Sequence, residues 1–178
     1  MMGQPEVDAL KFGLASGCPR AYATLYDQLA PALLRTARAL LGSTSEAEDS
    51  VQDVFVSLVR SREHLAKVED LTAYLFTALR HVVGRRLAQR AAESRGLEQL
   101  ARKGPGESPA PSCGEDEELE RALAKLPDEQ RQVIALKIDG GLTFAQIAAV
   151  LNISLNTAAS RYRYALEKLR QQLGRNEP

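Results

Sequence analysis

The sequence predicts an all-α protein with two small helical domains joined by a flexible linker. Apolar residues recur at helical spacing along most of the chain, and no segment shows the two-residue alternation of a strand. The composition also favours helices, since only 5% of the residues are aromatic and tryptophan is absent. A stretch rich in proline, glycine and acidic residues, 96–118, is the predicted linker between domains of residues 1–95 and 119–178.

The first domain contains four predicted helices. The second of them covers residues 20–41, and Pro31 in its interior predicts a kink or a break. The third is expected to begin at a Ser-x-x-Glu capping box formed by Ser45 and Glu48. The fourth follows Asp70, whose short carboxylate is suited to accept a hydrogen bond from the free amides of a first helical turn.

The second domain also contains four predicted helices, and the last two match a helix-turn-helix. Gly140 and Gly141 are expected to end the second helix. Thr143 and Gln146 match a Thr-x-x-Gln capping box at the start of the third. A turn of three to four residues follows the third helix, and Ser154 is suited to cap the fourth. This spacing is typical of a DNA-binding helix-turn-helix.

The last predicted helix has the composition of a helix that enters the major groove of DNA. Its first half carries short polar side chains followed by arginines, namely Asn156, Thr157, Ser160, Arg161 and Arg163. Polar side chains near the start of such a helix can reach base edges, and arginines can bind phosphates or guanine. The alternative is a helical hairpin with a solvated charged face, and one of Tyr162 and Tyr164 is expected to be packed. The agreement of turn, cap and polar face favours DNA binding.

A basic stretch near the end of the first domain is a second candidate for nucleic-acid binding. Five arginines and one acid lie between residues 80 and 95. The candidate strand-binding residues are Tyr74, Arg80, His81, Arg85, Arg86 and Arg90. A basic helix beside an aromatic ring can hold a phosphate backbone and stack an unpaired base, although a basic run is more often a solvated face. The zero net charge of the chain does not exclude DNA, because phosphate binding depends on local basic stripes.

The third predicted helix is acidic in its first half. The helix dipole alone explains acidic residues near a helix N-terminus. The functional alternative is a partner-binding face that presents Asp49, Gln52 and Asp53 beside an apolar stripe. No histidine, cysteine or nucleophile arrangement accompanies these carboxylates, so we predict neither catalysis nor a cofactor nor a metal.

Cysteine spacing and hydropathy exclude further classes of protein. Cys18 and Cys113 are far apart and lack the spacing of zinc ligands, which argues against a disulfide framework or a zinc site. We find neither the pattern of a signal peptide nor an apolar run of about 18 residues that could span a membrane. The sequence therefore predicts a cytoplasmic protein.

Taken together, these segments resemble the extracytoplasmic-function (ECF) group of bacterial sigma factors. Residues 47–55, AEDSVQDVF, resemble the acidic helix that binds core RNA polymerase. Residues 71–90 resemble the helix that melts and reads the minus-ten promoter element. Residues 123–170 resemble the domain that reads the minus-thirty-five element. The resemblance implies a sigma factor that directs core RNA polymerase to promoter DNA and promotes strand opening, with an anti-sigma factor as a further candidate partner.

The resemblance also implies roles for individual residues. Asp49, Gln52 and Asp53 would dock on the clamp helices of the polymerase, and residues 61–70 would capture a flipped base of the minus-ten strand. The strand itself would lie along Arg80, His81, Arg85, Arg86 and Arg90. The recognition helix would begin at Asn156, Thr157, Ser160 and Arg161. The linker would pass through the RNA exit path of the polymerase.

The sequence departs from the family pattern at five positions. Tyr74, His81 and Arg85 stand where tryptophan, asparagine and aspartate are usual. Gln146 and Ala159 stand where glutamate and lysine are common. The first three departures leave the minus-ten base preference unreadable, and Ala159 removes one basic contact.

Two other functions fit the residues without the resemblance. A helix-turn-helix regulator that works without polymerase predicts palindromic sites and a stable dimer. A protein-binding module that sequesters partners predicts that changes at Ser160 and Arg161 leave transcription unaffected. The sigma factor prediction requires transcription from a bipartite promoter when the chain is combined with core polymerase.

Overall fold

The computed structural model describes residues 4–100 and 115–174, and within them side chains from 6–95 and 118–174. All regular structure in these residues is helical, which confirms the all-α fold class. The elements in chain order are α1 (Gln4–Ala15), α2 (Pro19–Leu41), α3 (Thr44–Arg60), a 3₁₀ helix (Arg62–Lys67), α4 (Leu71–Leu100), α5 (Glu115–Ala124), α6 (Asp128–Ile134), a π-helical turn (Ala135–Asp139), α7 (Phe144–Leu151) and α8 (Leu155–Leu173). None of these helices combines the length and apolar character needed to cross a bilayer.

Helix α2 runs without a break through Pro31, so of the predicted kink or break the break does not occur. Proline cannot donate to the carbonyl four residues earlier, which belongs to Asp27. Both residues lie on the exposed side of α2, where water can satisfy that carbonyl. The helix ends as predicted at Gly42, whose φ of 66° is the left-handed conformation that glycine adopts readily.

The cap of α3 is Ser43 and not the predicted Ser45. The Ser43 hydroxyl accepts a hydrogen bond from the amide of Glu46, at 3.4 Å. Because Gly42 ends the preceding helix, Ser43 alone has extended backbone between the two helices, with φ −133° and ψ 122°. Ser45 and Glu48 therefore lie within the helix and cannot form a capping box.

The other predicted caps are confirmed. Asp70 Oδ1 accepts from the amide of Ala73 at 2.9 Å. Thr143 and Gln146 form both hydrogen bonds of a capping box at the start of α7. The Ser154 hydroxyl accepts from the amide at the third position of α8. Each of these caps satisfies a backbone donor that the helix itself leaves free.

The first lobe, residues 4–100, surrounds an apolar core formed mainly by α2, α3 and α4. Leu33, Val54 and Leu75 are fully buried in it, one from each helix. Helix α1 packs across α2 and the 3₁₀ helix, whose Leu65 is also fully buried. This packing presents the acidic α3 and the basic part of α4 side by side.

The second lobe, residues 115–174, contains the four predicted helices. Helix α6 continues into the π-helical turn, in which the amide of Gly140 bonds to the carbonyl of Ala135 at 3.0 Å. Gly141, with φ of 69°, then redirects the chain toward α7. Helix α8 packs against α5, α6 and α7, and its Ala165 is fully buried.

The two lobes pack directly against each other. Helix α7 lies on α4, and the π-helical turn lies on α2. Phe76 of the first lobe and Leu142 of the second are both buried in one shared apolar cluster. Gly140 permits this approach, because a Cβ there would lie only 3.0 Å from Cε1 of Phe76.

Helical structure extends into both ends of the predicted linker. Residues 96–100 continue α4, and residues 115–118 belong to α5. The rest of the linker, including Cys113, lies outside the described residues.

Candidate nucleic-acid interface

The turn between α7 and α8 has the geometry of a helix-turn-helix. Asn152 adopts the left-handed conformation with φ of 54°, which asparagine tolerates better than most residues. Its amide bonds back to α7, and the amide of Ile153 bonds to the carbonyl of Ala148 at 3.0 Å. Ser154 then caps α8 through the amide of Thr157, at 3.0 Å. The predicted turn of three to four residues is confirmed.

Helix α8 has one buried face and one polar face. Ala158, Ala165 and Leu169 are buried against the rest of the lobe. On the other side Asn156 is exposed, and the half-buried Ser160 donates its hydroxyl to the Asn156 carbonyl at 2.7 Å. The small alanines bring α8 close to its neighbours, while Asn156 is exposed and Ser160 is partly exposed on the opposite side.

The two tyrosines of α8 have different environments. Tyr162 packs edge-on against Phe144, with ring centroids 5.5 Å apart. Tyr164 is 51% exposed, and the guanidinium carbon of the exposed Arg163 lies 5.3 Å from its ring centroid. The expectation that one tyrosine is packed is confirmed. Tyr164 joins the polar face, and its position one turn after Ser160 was the signal available in the sequence.

Arg161 is held within the second lobe. Its Nη2 lies 2.6 Å from Oε2 of Glu129 on α6, and its side chain is only 26% exposed. Thr157, four residues earlier, is half-buried. In this arrangement Arg161 braces α8 against α6, and Arg163 is the predicted arginine with the more exposed side chain.

Three arginines of the basic stretch contact residues outside α4. Arg80 Nη1 donates to the carbonyl of Val150 in α7 at 2.6 Å. Arg86 Nη2 donates to Asp53 of α3 at 2.9 Å. Arg90 donates to the carbonyl of Leu41 at 2.8 Å and also pairs with the carboxylate of the half-buried Glu46. Part of this basic charge therefore joins α4 to its neighbours.

Two of the three residues that depart from the family pattern on α4 are exposed, and the third is half-buried. His81 and Arg85 are exposed. Tyr74 is half-buried, and its hydroxyl lies 3.1 Å from the hydroxyl oxygen of Ser61. Tyr74 thus contacts the start of residues 61–70, the segment predicted to capture a flipped base.

The predicted polymerase-binding residues form an exposed row on α3. The side chains of Asp49 and Asp53 are 59% and 54% exposed, and Gln52 between them is also exposed. Arg86 lies beside the row, 4.0 Å from Asp49. The row is therefore open to a partner, with one arginine at its edge.

An apolar patch on α2 and α3 was missed by the sequence analysis. Tyr26, Val56 and Val59 are each about half exposed, and Tyr26 packs on Phe55 with ring centroids 4.9 Å apart. Such a cluster is unusual at a solvent-facing surface and often marks a protein interface. The sequence indicates this patch because the apolar stripe of α3 is wider than the face that the core of the lobe can bury.

Burial shifts the pKa of two ionisable groups among the residues that the structure describes. Burial raises the pKa of the Tyr22 hydroxyl, and the nearby Arg62 acts in the opposite direction. Burial also raises the pKa of the Asp139 carboxyl, which Arg35 partly offsets. Within the part of the chain that is described, no three histidine, cysteine or carboxylate side chains are grouped as metal ligands.

Comparison with known proteins identifies both lobes. The family model "Sigma-70 region 2" matches residues 25–93, and "Sigma-70, region 4" matches residues 122–171. The ECF RNA polymerase sigma factor SigK of Mycolicibacterium vanbaalenii is 31% identical over 176 residues, which cover 95% of this chain and 90% of that protein. The sigma factor EcfG of Rhodopseudomonas palustris is 29% identical over 140 residues, covering 78% and 77%.

Two solved structures share the fold. The sigma factor RpoE in complex with the anti-sigma factor NepR from Bartonella quintana has a TM-score of 0.70 at 24% identity, covering 88% of this chain and 98% of that chain. CnrH in complex with the cytosolic domain of CnrY has a TM-score of 0.70 at 25% identity, covering 96% and 98%. The helix-turn-helix, the order of the two regions and the near full-length similarity to SigK agree, and the chain belongs to the ECF RNA polymerase sigma factors.

Proposed function

We propose that this sigma factor directs core RNA polymerase to promoters by dividing recognition between its lobes. The second lobe reads the minus-thirty-five duplex, and the first binds the polymerase and the minus-ten strand. The observation that carries this proposal is the polar face of α8, which follows a helix-turn-helix turn within the matched region 4. The proposed function requires only binding to polymerase and DNA, so we expect no catalytic activity and no cofactor.

In the second lobe, α8 would enter the major groove with its N-terminal end. Asn156 is exposed there, and an asparagine amide can make two hydrogen bonds to adenine. Thr157, directly after Asn156, and Ser160, one turn further along α8, add hydroxyl groups. Arg163, whose side chain is exposed, would bind a phosphate or a guanine. Ala159 offers no such group, so the duplex contact depends on fewer basic residues.

In the first lobe, α3 would dock on the polymerase through a mixed surface. Asp49, Gln52 and Asp53 supply exposed polar groups. The neighbouring patch, with Tyr26 and Val56, supplies apolar area that a partner can bury. Protein interfaces commonly combine an apolar centre with polar and charged groups around it. The acidic row would set orientation and the patch would contribute affinity.

The minus-ten strand would lie along α4. Unpairing a base costs a few kcal/mol, and a site that holds the extruded base offsets that cost. His81 and Arg85 are exposed for contact with the strand, and Tyr74 adjoins residues 61–70. Each lobe alone would bind DNA weakly. Joining them on one polymerase raises the effective concentration of the second site.

We also propose control by an anti-sigma protein. RpoE was solved with the anti-sigma factor NepR, and CnrH was solved with the cytosolic domain of CnrY. A cavity of about 130 Å³ lies between the lobes of this chain, lined by apolar side chains such as Leu40, Leu79 and Leu87 together with Arg80 and Arg131. It would accept one or two apolar side chains of such a partner. The proposed site of action is the cytoplasm, where polymerase and chromosome meet.

Transcription in vitro with purified core polymerase tests the proposal, with start sites mapped across the host genome. The proposal expects starts that share a bipartite element, and poor binding of duplex DNA by the chain alone at physiological salt. Asn156→Ala and Ser160→Ala should reduce these transcripts, whereas Gln171→Ala, an exposed position near the end of α8, should not. Tight binding to palindromic sites by a dimer without polymerase would instead support the regulator alternative.

A further inference from the structure

The lobes are joined by three polar contacts that cross the seam between them. Gln146 Nε2 of α7 donates to Asp70 Oδ2 at the start of α4, at 2.9 Å. Arg80 Nη1 donates to the carbonyl of Val150 at 2.6 Å. Arg35 Nε of α2 donates to the Asp139 carbonyl at 3.3 Å. These contacts connect residues 70 to 104 positions apart in the chain, so they exist only when the lobes are closed.

The seam is also closely packed. Phe76 and Leu79 of α4 are buried, as are Leu136 and Leu142 of the second lobe. A Cβ at Gly140 would lie 3.0 Å from Phe76 Cε1, which shows how closely the backbones approach. Burial of apolar side chains supplies a general attraction between the lobes. The polar contacts require a defined geometry and therefore favour one particular closed arrangement of the lobes.

Closure uses groups of the first lobe that the promoter strand would need. Arg80 belongs to the proposed minus-ten surface, and its guanidinium bonds to α7 in the closed form. Asp70 ends the segment proposed to capture a flipped base, and its Oδ2 bonds to Gln146. Strand binding and closure would therefore compete for Arg80, and closure also fixes the end of the segment that would capture the base.

The spacing of the promoter elements also requires the two lobes to separate. Elements centred near minus ten and minus thirty-five are about 25 base pairs apart, or roughly 85 Å of duplex. Lobes in direct contact cannot read both. The chain between α4 and α5, from Leu100 to Glu115, reaches at most roughly 50 Å when extended. This reach, together with the widths of the lobes, allows an open form.

The contact made by Gln146 offers the cleanest test of the equilibrium between the closed and the open arrangement of the lobes. Its Oε1 accepts from the amide of Thr143 at 3.0 Å and completes the capping box. Its Nε2 is left to donate to Asp70. A glutamate at this position keeps the acceptor for the cap but turns a second carboxylate oxygen toward the Asp70 carboxylate. The bond across the seam would become a repulsion while α7 keeps its cap.

We propose that the Gln146–Asp70 hydrogen bond is an autoinhibitory latch that holds the lobes closed until core polymerase separates them. The inference rests on the proposed division of promoter recognition. Because the proposed division of recognition needs the two lobes apart on one polymerase, full engagement of polymerase requires the open form, and the apparent affinity falls with the fraction of molecules that are open. Weakening the latch should therefore increase polymerase binding without any change at the polymerase-binding surface.

The test compares the full-length protein with Gln146→Glu, using small-angle X-ray scattering and titration with core polymerase. We expect a larger radius of gyration and an apparent affinity roughly three- to tenfold higher, the range that one hydrogen bond is worth. Gln171→Glu makes the same charge change on the exposed end of α8, away from the seam, and should alter neither measurement. Circular dichroism checks that helix content is retained.

The double variant Gln146→Glu with Asp70→Asn provides a rescue. The introduced asparagine keeps an Oδ1 that can cap α4, and its amide can donate to the introduced glutamate, so the latch is restored with donor and acceptor exchanged. We expect both measurements to return to the starting values. An unchanged radius in the folded Gln146→Glu protein, or an opened protein with unchanged polymerase affinity, would overturn the proposal. Scattering needs neither DNA nor polymerase, so closure is judged even if the proposed promoter reading fails.

Discussion

Arg86 Nη2 and Asp53 Oδ2 lie 2.9 Å apart and join the proposed strand-binding helix to the proposed polymerase-binding row. A polymerase group that engages Asp53 would release Arg86, which could then turn to a phosphate. The pair therefore couples the two surfaces of the first lobe through one contact. Because both side chains are partly exposed, exchanging one partner for another costs little.

Asp53→Ala should weaken binding to core polymerase by about tenfold without destabilising the fold. The lost ion pair is partly exposed, and pairs in contact with solvent contribute at most about 1 kcal/mol. A buried polar contact at the polymerase interface contributes more. Fluorescence titration with core polymerase and thermal unfolding separate the two effects. Glu120→Gln, an exposed acid on α5, is the matched control. A tenfold loss in both variants would show that general charge is responsible.

Val56→Ser should reduce polymerase affinity several-fold through the apolar patch. Val56 is 48% exposed in the free protein, so its replacement removes little packing and should leave the Tm nearly unchanged. In the complex the methyl groups would be buried, and each buried CH₂ is worth about 0.8 kcal/mol. Ile138→Ser, at a position 59% exposed on the other lobe, serves as the control. Equal affinity of Val56→Ser and the unchanged protein would remove the patch from the interface.

A comparison of Arg161→Ala with Glu129→Gln distinguishes a DNA contact by Arg161 from a purely structural role. Both break the 2.6 Å ion pair that braces α8 against α6. If Arg161 also contacts DNA, Arg161→Ala should reduce transcription from the cognate promoter at least about fivefold more than Glu129→Gln, since a contact to a base or phosphate is lost as well. The Tm should fall slightly and by similar amounts in both, as expected for a partly exposed pair. Equal transcription by the two variants would assign Arg161 to bracing alone.

Asp139→Asn should raise the Tm at neutral pH. Burial raises the pKa of this carboxyl in the folded protein, so the folded state binds the proton more tightly than the unfolded state. Folding is then favoured at low pH, and that contribution is lost as the pH rises through the ordinary value and then the raised value. The gain from Asp139→Asn should shrink as the pH is lowered toward about 4. A gain that is independent of pH would contradict this assignment.

The starts of several helices could be predicted from residues that are close together in the sequence. The caps at Asp70, Thr143 and Ser154 were predictable because each needs only a side chain and an amide within one helical turn. The placement at Ser45 was wrong because the end of α2 at Gly42 leaves Ser43 alone to begin α3. Ser43 and Ser45 are both suited to cap a helix, and the position at which the preceding helix ends determines which of them caps α3.

The sequence predicted that the basic residues share one helix, but it did not predict which residues they contact. The sequence placed Arg80, Arg86 and Arg90 on one basic stretch, and the structure places all three on α4. Their partners lie 33 to 70 residues away, on α2, α3 and α7. Helical periodicity carries no information about which distant carbonyl or carboxylate a long side chain reaches.

The sequence by itself determined that this protein is helical, that its last two helices form a helix-turn-helix, and that it resembles the ECF sigma factors. These properties depend on short-range patterns and on motifs in a fixed order. Only the tertiary structure decided that the lobes share one core and that Gln146, a departure from the family pattern, bonds to Asp70. Such contacts depend on shape and on chain segments far apart, because burial and hydrogen bonding act through space.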